Sequence, residues 1–334
     1  MPEIPTHDPR YQQLRQWLRG LPGFDQARLT TASADASFRR YFRATTEAGS
    51  WIIMDAPPDK EDIQPFMDVT RWLGERGVNV PRIHHSDQGL GFLLLDDFGD
   101  RAYLDALNEH TADTLYGAAL AELHRIQSTP AEPLPPYDEP LLRNELALFT
   151  DWLLGEHLGQ DPEPARQRLA PVFQALVDNA LAQPQTFVHR DYHSRNLMVA
   201  GNRPGVIDYQ DAVRGPLTYD LVSLLRDCYI RWPESRVRHW ALDFRNNLAS
   251  AYRPETISDE QFLRWFDLMG IQRHLKAAGI FCRLNHRDGK PGYLADIPRT
   301  LGYVRDIAPR YPETRPLAAL LDQLPPQLLS RSAA

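Results

Sequence analysis

Residues 189–211 contain three side chains whose types and spacing suit phosphoryl transfer. Asp191 can accept a proton from a substrate hydroxyl group. Asn196, five residues later, can offer an amide oxygen to Mg²⁺, and Asp208, twelve residues further on, can hold a metal ion that bridges nucleotide phosphates. The stretch therefore predicts a catalytic base followed by two magnesium ligands.

Two short apolar runs, residues 196–199 and 204–207, flank an Ala-Gly-Asn-Arg segment. This pattern predicts a β-hairpin with its turn at Gly201 and Asn202. Because a hairpin brings its two ends together, Asn196 and Asp208 are expected to lie side by side. Mg²⁺ keeps several waters and takes other oxygens from phosphates, so one amide and one carboxylate are sufficient protein ligands.

Two other interpretations of this stretch exist. A surface loop rich in His and Asp could precede a hairpin by chance. Alternatively, His189, Asp191 and His193 alternate, so in an extended segment all three could bind Zn²⁺ in a metal hydrolase. The zinc interpretation leaves Asn196 and Asp208 without a role, and the spacing of all three polar residues next to apolar strands favours phosphoryl transfer.

The segments HRDYHSRNLM and VIDYQDA, at 189–198 and 206–212, resemble the signature of the aminoglycoside phosphotransferase family, the small-molecule branch of the kinase-like fold. The resemblance covers most of the chain. It implies an α+β, two-lobed fold with a small antiparallel-sheet lobe over residues 1–97 and a mainly helical lobe over 98–334. It also implies ATP and Mg²⁺ as cofactors, and Asp220 and His189 as residues that support the catalytic loop.

Finer details are similar to the bacterial anomeric amino-sugar kinases of cell-wall recycling, which phosphorylate N-acetylmuramate and N-acetylglucosamine. These details are Met-Asp-Ala-Pro-Pro at 54–58, Phe-Leu-Leu-Leu-Asp-Asp-Phe-Gly-Asp at 92–100 and Gln-Arg-His-Leu-Lys at 272–276. We therefore expect a kinase of a small amino sugar. The alternatives are a kinase of an aminoglycoside, choline or homoserine, and a nucleotide-binding protein without turnover.

Composition limits the other possibilities. The 334 residues are 43% hydrophobic and 24% charged, which is typical of a globular protein. A net charge of −7 argues against a nucleic-acid partner, and the apolar runs are too short to span a bilayer. Two cysteines without metal-type spacing, and an amino terminus without an apolar core, favour a cytoplasmic protein.

The amino-terminal part predicts a helix at 8–19, strands at 27–33, 38–45 and 50–56, a helix at 61–76 and a hairpin over 80–95, which together make a five-stranded lobe. Ala34 to Ser37 stands where kinases have a glycine-rich loop, so Ser37 is a candidate phosphate contact. Adenine is expected against the backbone of Leu95 to Phe98, and Asp97 lies in this hinge.

The strand that carries the phosphate-binding lysine of kinases has Met54 at the corresponding position. This departure leaves open which cation meets the inner phosphates. The candidates are Arg39, Arg40 and Arg43 on the neighbouring strand, and Lys60 beyond it.

The carboxyl-terminal part predicts helices at 111–127, 141–158, 171–182, after 215 and at 259–284. Glu145 and Trp152, seven residues apart, are candidates for the acceptor pocket, although a surface Glu and a core Trp would give the same pattern. Arg273, Lys276 and Arg283 share one side of the long helix. That side is either solvated or a cationic wall for an anionic acceptor.

Overall fold

Five strands of the amino-terminal region form one antiparallel sheet in the order β1-β2-β3-β5-β4. Their bounds are Arg28–Ala34, Arg40–Thr46, Gly49–Asp55, Ile83–Asp87 and Phe92–Asp96 for β1 to β5. Helix α1 is Pro9–Arg19, and α2, between β3 and β4, is Gln64–Glu75. The computed structural model describes residues 8–34, 38–252 and 254–329, and the five-stranded lobe predicted from the sequence is confirmed.

One face of this sheet is covered by α1. Phe42 and Ala44 of β2, Ile53 of β3, and Phe92 and Leu94 of β5 alternate along their strands and form a buried cluster. The α1 side chains in this cluster are Tyr11, Leu14 and Leu18. Apolar residues recur at every second position along each strand and at helical spacing along α1. Each element therefore has one apolar side, and these sides pack together to form the core.

The chain separates into two compact units, Met1–Arg101 with Met198–Asp211 and Ala102–Leu197 with Ala212–Ala334. The division differs from the predicted 97/98 boundary because residues 198–211 group with the first unit. The backbone N–H of Val199 donates to the Arg101 carbonyl at 2.9 Å, and that of Val206 to the Asn79 carbonyl at 2.8 Å. These hydrogen bonds join the segment to the first unit.

The segment that returns to the first unit contains the predicted hairpin, with β7 at Leu197–Ala200 and β8 at Arg203–Val206. Gly201 in its turn has a φ of 71°, a conformation that glycine adopts without steric cost. A Cβ atom on Gly205 would lie 2.4 Å from the Phe98 ring, so only glycine permits this contact. The predicted hairpin and its turn are confirmed.

The second unit is mainly helical. Its helices are α3 Tyr103–Ala106, α4 Ala112–Gln127, α5 Glu139–Leu148, α6 Glu163–Leu181, α7 Tyr219–Leu225, α8 Glu234–Asn246, α9 Asp259–His286, α10 Ile297–Ile307 and α11 Arg315–Leu321. Strand β6, Gln185–Val188, pairs with β9, Val213–Pro216. Short 3₁₀ turns lie at Ser250–Tyr252, Pro254–Thr256, Pro291–Asp296, Ala308–Arg310, Pro312–Thr314 and Pro326–Leu328.

Two helices differ from their predicted form. Helix α6 begins at Glu163, eight residues before the predicted start, and Pro171 lies inside it. The region predicted as one helix at 141–158 is α5 followed by a π-helix, Phe149–His157. The change of helix type occurs at Leu148, where α9 passes so close that a Cβ atom on Gly279 would lie 2.4 Å from the Leu148 carbonyl.

Helix α9 is the central element of the second unit. Its side chains are buried on all sides over residues 266–276, including polar ones. The prediction of a solvated side at Arg273 and Lys276 is therefore wrong, because neighbouring helices cover that side as well as the apolar one. Arg283, further along the helix, is half-buried.

No helix in the part of the chain that the structure describes combines the length and apolar character needed to cross a membrane.

Candidate functional site

Asp191 lies in the loop between β6 and β7 and is half-buried. The next residue, Tyr192, is fully buried, and its hydroxyl donates a 2.7 Å hydrogen bond to the Ala119 carbonyl. Tyr192 therefore anchors the loop to α4, while Asp191 keeps part of its surface exposed. An anchored loop holds a reacting group in a fixed position, which is how positioning contributes to catalysis.

The carboxylate of Asp220 braces the start of the same loop. Its Oδ2 accepts from the backbone N–H of His189 at 2.7 Å, and its Oδ1 accepts from the backbone N–H of Arg190 at 3.0 Å. The Nδ1 atom of buried His189 in turn accepts from the backbone N–H of Asp191 at 3.3 Å. Both residues thus act on the backbone that carries Asp191.

A second buried carboxylate, Asp227, holds the end of the loop. Its Oδ2 accepts from the backbone N–H of Ser194 at 2.9 Å and from the Ser194 hydroxyl at 2.5 Å. Its Oδ1 accepts from the backbone N–H of Tyr229 at 2.9 Å. Asp227 is not predicted from the sequence, because a lone Asp after α7 has no local pattern that distinguishes it.

The amide of Asn196 is oriented by the loop itself. Its Nδ2 donates to the Asp191 carbonyl at 3.0 Å, so the amide oxygen points away from that carbonyl. Asn196 directly precedes β7 in the chain, and Asp208 follows the last residue of β8 by two.

The surroundings of Asp191 are rich in cations. Burial alone raises the pKa of its carboxyl, but the positive charges of Lys276, His193 and Arg273 outweigh burial and hold the pKa below its usual value. Asp191 is therefore ionised at neutral pH, as a proton acceptor must be.

Glu145, a candidate acceptor contact, is only 4% exposed and lies in a buried charge network. Its Oε1 lies 2.6 Å from Arg190 Nη2 and 3.1 Å from Lys276 Nζ, and its Oε2 accepts from the Tyr137 hydroxyl. Burial raises the pKa of Glu145, whereas Lys276 and Arg190 lower it, and the cations prevail. Glu145 therefore fixes Arg190 of the β6–β7 loop and Lys276 of α9.

Trp152, the second candidate on this part of the chain, is half-buried in the π-helix. A π-helix has i→i+5 hydrogen bonds, so the seven-residue spacing from Glu145 does not place the two residues on one α-helical face. The expectation of a surface Glu and a core Trp is also wrong, since Glu145 is the buried residue of the two.

In the first unit, Asp208 has a φ of 65°, and in the second unit Arg190 has a φ of 78°. They are the only non-glycine residues with positive φ in the described ranges 8–34, 38–252 and 254–329. Such a conformation costs about 1–3 kcal/mol and persists where the surroundings hold it, often at functional sites. One of the pair is a candidate metal ligand, and the other directly precedes the candidate base.

The three arginines near β2 differ in their partners. Arg40 pairs with Asp55 at 2.5 Å and also with Asp8. Arg43 pairs with Asp97 at 2.6 Å and with Asp100 at 2.5 Å. The Nη2 atom of Arg39 lies 3.9 Å from Asp208 Oδ1. The structure therefore associates Arg39, of these three, with the candidate metal ligand.

Met54 is 0% exposed and lies in register between Tyr41 of β2 and Leu93 of β5. An uncompensated lysine at this apolar position would be unfavourable. Lys60, another candidate cation, is exposed and lies 3.8 Å from Asp59.

The predicted hinge follows β5. Leu95 is buried, Phe98 packs on Gly205, and the Asp97 carboxylate accepts from the backbone N–H of Gly99 at 2.9 Å as well as pairing with Arg43. Asp97 thus orders the hinge through its side chain. Ser37, the predicted phosphate contact, lies outside the described residues.

The donor chemistry fits magnesium better than zinc. The candidate ligands Asn196 and Asp208 carry an amide and a carboxylate oxygen, and such hard donors are those that Mg²⁺ prefers. Among the described residues, no group of three His, Cys, Asp or Glu side chains is arranged to hold a metal ion. The Nδ1 atom of His189 accepts a backbone N–H and is therefore not available to a metal ion.

Comparison with known proteins identifies the family of this chain. Residues 28–266 match the model of the phosphotransferase enzyme family, which is more than half of the chain. The chain belongs to this family. It is 47% identical to the N-acetylmuramate/N-acetylglucosamine kinase of Pseudomonas aeruginosa and 44% identical to that of Pseudomonas putida, in both cases over 96% of this chain and 98% of the relative.

Solved structures of the phosphotransferase type share the fold. The gentamicin complex of APH(2″)-IIa superposes with a TM-score of 0.61 at 13% identity, over 98% of this chain and 99% of that chain. The ethanolamine kinase of Plasmodium vivax gives a TM-score of 0.64 at 10% identity, over 92% and 89%. These similarities confirm the kinase-like α+β fold expected from the sequence.

Proposed function

We propose that this phosphotransferase uses ATP to phosphorylate the anomeric 1-hydroxyl of N-acetylmuramate and N-acetylglucosamine, as a step in peptidoglycan recycling. Its relatives with that name match nearly the whole chain at 44% and 47% identity. The motif residues Asp191, Asn196 and Asp208 supply the side-chain types that phosphoryl transfer requires. The partner is a small molecule, with no nucleic acid and no membrane.

The choice of acceptor rests on the two near-full-length relatives, and the environment of Asp191 is compatible with an anomeric hydroxyl. Neighbouring cations hold the pKa of this carboxyl below its usual value, so it is a weak base. An anomeric hydroxyl is more acidic than an ordinary sugar alcohol, because the ring oxygen withdraws electron density. A weak base is therefore better matched to an anomeric hydroxyl than to an ordinary sugar hydroxyl, which is harder to deprotonate.

In this proposal the first unit contributes nucleotide contacts, and the second unit contributes the acceptor site and the base. Arg39 meets the nucleotide phosphates in place of the absent strand lysine, and the backbone of Leu95 to Phe98 receives adenine. Asn196 and Asp208 would hold Mg²⁺, which would supply positive charge to the phosphates. Asp191 orients the acceptor hydroxyl and takes its proton.

The two cysteines, Cys228 and Cys282, are both buried and unpaired. Free thiols are typical of a reducing compartment, which supports a cytoplasmic location for the proposed reaction.

The test is ATP consumption with Mg²⁺ over a panel that contains both amino sugars, an aminoglycoside, choline and homoserine. Asp191→Asn is expected to lower kcat by about 10²–10⁴-fold while nucleotide affinity is retained. Asp211→Asn, which changes an exposed carboxylate in the same stretch of sequence, is the control. Phosphorus NMR of the product identifies the phosphorylated hydroxyl, and phosphate on the 6-hydroxyl would overturn the anomeric assignment. Turnover of choline or homoserine alone would overturn the acceptor class.

A further inference from the structure

Arg273 on α9 is a buried cation without a carboxylate partner in the described part of the chain. It is 5% exposed, and its only hydrogen bond there runs from Nη1 to Cys228 Sγ at 3.6 Å. Its Nε has no partner. Arg226, also buried, shows the usual arrangement, because Asp267 and Glu234 lie 2.7 and 3.0 Å from its Nη2.

The charges of Asp191 and Asp227 act on Arg273 and favour its charged form, but neither carboxylate lies within ion-pair distance of the guanidinium. A buried guanidinium without a direct carboxylate partner is left with unsatisfied N–H groups, which is unfavourable unless something else compensates them. The nearby carboxylate of Asp227 is already engaged by the N–H groups of Ser194 and Tyr229. Lys276, one turn further along α9, is compensated by Glu145 at 3.1 Å. Arg273 therefore differs from the other cations around Asp191 and points to an anionic ligand.

A second cation lies next to the same turn. Arg195, between Ser194 and Asn196 in the catalytic loop, is exposed, and its guanidinium lies 3.6 Å from the centroid of the Tyr229 ring. Within the residues that the structure describes, Arg195 has no hydrogen bond or ion pair. Stacking on an aromatic face orients a guanidinium and leaves its N–H edge available for a planar anion.

The contacts of the two arginines converge. Arg273 contacts Cys228 and Arg195 stacks on Tyr229, which is the next residue. Asp296, an acid whose pKa the charge of Arg195 affects, is paired with Arg299 at 3.0 Å. The positive charge of Arg273 also acts on Asp191. Arg195 of the β6–β7 loop and Arg273 of α9 thus contact two consecutive residues, and the charge of Arg273 reaches the proposed base.

We infer that Arg195 and Arg273 bind the lactyl carboxylate of N-acetylmuramate. The inference rests on the proposed function, since N-acetylglucosamine lacks this carboxylate and is otherwise the same sugar. Arginine matches a carboxylate with two parallel N–H···O bonds, so an available and oriented guanidinium suits it. These residues then determine the preference between the two sugars.

The test compares kcat/KM for both sugars in the wild type and in Arg195→Gln, Arg195→Lys and Arg273→Gln. A hydrogen bond to a charged group corresponds to a factor of about 10–100. We expect each Gln variant to lose about 10- to 100-fold more with N-acetylmuramate than with N-acetylglucosamine. Arg195→Lys retains the charge without the planar fork, so it is expected to recover only part of this difference.

Arg236→Gln is the matched control. This arginine also lies over aromatic rings, 5.1 Å from Trp232 and 5.0 Å from Trp240, but it pairs with Glu109 and Asp113 at 3.0 and 2.9 Å. It should leave the ratio of the two kcat/KM values unchanged. A neutral substrate completes the design: the carboxamide of N-acetylmuramate keeps the lactyl group without its charge, and it should not discriminate between wild type and Gln variants.

Each outcome is informative. Equal losses for the two sugars would overturn the inference and assign the arginines to the transferred phosphoryl group. If the Gln variants lose as much kcat/KM with the carboxamide as with N-acetylmuramate itself, the inference is also overturned. A wild type that phosphorylates neither sugar would instead refute the proposed function. If Arg273→Gln does not fold, the kcat/KM values of the two Arg195 variants with the two sugars still test the inference.

Discussion

Asp220 accepts a 3.0 Å hydrogen bond at Oδ1 from the backbone N–H of Arg190, a residue with a φ of 78°. A left-handed conformation costs a residue other than glycine about 1–2 kcal/mol. The same carboxylate accepts from the N–H of His189 at 2.7 Å. Asp220 therefore holds the strained peptide that directly precedes Asp191, and its effect on catalysis is through this backbone.

The ionisation of Asp220 predicts the acid limb of the pH profile. Burial raises the pKa of this carboxyl to about 6, and the carboxylate accepts from the two N–H groups more strongly than the protonated acid does. Asp191, with its lowered pKa, stays ionised there. We expect kcat/KM to fall as the pH drops through about 6. Asp220→Asn should have a low kcat at all pH values and should not show this fall near pH 6. If kcat/KM of the wild type falls only below about pH 4, Asp220 is not the titrating group.

The same raised pKa has the opposite effect on stability. Ionisation of Asp220 opposes folding, because the folded state holds this proton more tightly than the unfolded state does. The contribution of protonated Asp220 to the free energy of unfolding is greatest below pH 3.8, the ordinary pKa of an aspartate, and is lost as the pH rises through about 6. Stability and activity are thus expected to respond to Asp220 in opposite directions over this range.

The sequence was most informative where the determinants are local. The hairpin that separates Asn196 from Asp208 has its turn at a glycine of positive φ, and alternation along β2, β3 and β5 specifies the core face. Such patterns are read from a few consecutive residues.

Other features depend on contacts between distant segments. A helical wheel placed Arg273 and Lys276 together, but it could not show that other helices cover that side of α9. The π-helix begins where Gly279 closely approaches Leu148, and no local sequence pattern predicts this contact. Asp227 is recognisable only once its hydrogen bonds to the catalytic loop are seen. Tertiary packing determines all three.

Among the three arginines in and next to β2, Arg39 is expected to contact the phosphates of ATP. Its Nη2 lies 3.9 Å from Asp208, whereas the guanidinium of Arg40 is occupied by Asp8 and Asp55. Arg39→Gln should raise the KM for ATP about tenfold or more, since it removes a charge-assisted contact to phosphate. Arg40→Gln, the matched control, should lower stability and leave this KM near the wild-type value. Steady-state kinetics at saturating sugar decides, and the reverse pattern would exclude Arg39.

Asp208 can be tested without disturbing its backbone. Asn tolerates the left-handed conformation better than Ala does, so Asp208→Asn keeps the φ of 65° and removes the charge. We expect Mg²⁺-dependent ADP binding, measured by calorimetry, to weaken strongly in both Asp208→Asn and Asp208→Ala. Only Asp208→Ala should also lose about 1–2 kcal/mol of unfolding free energy. Unchanged magnesium dependence in Asp208→Asn would show that the carboxylate is not a ligand.

The contact between Glu145 and Lys276 predicts a non-additive effect on stability. Both side chains are buried, and Glu145 also compensates Arg190. Glu145→Gln leaves buried cations without a counter-charge, which is expected to cost about 3–5 kcal/mol of unfolding free energy in urea titrations. Adding Lys276→Met removes one of the uncompensated charges, so the double variant should be more stable than Glu145→Gln alone. If the two losses simply add, the ion pair is not coupled, and Arg190 must be the main partner of Glu145.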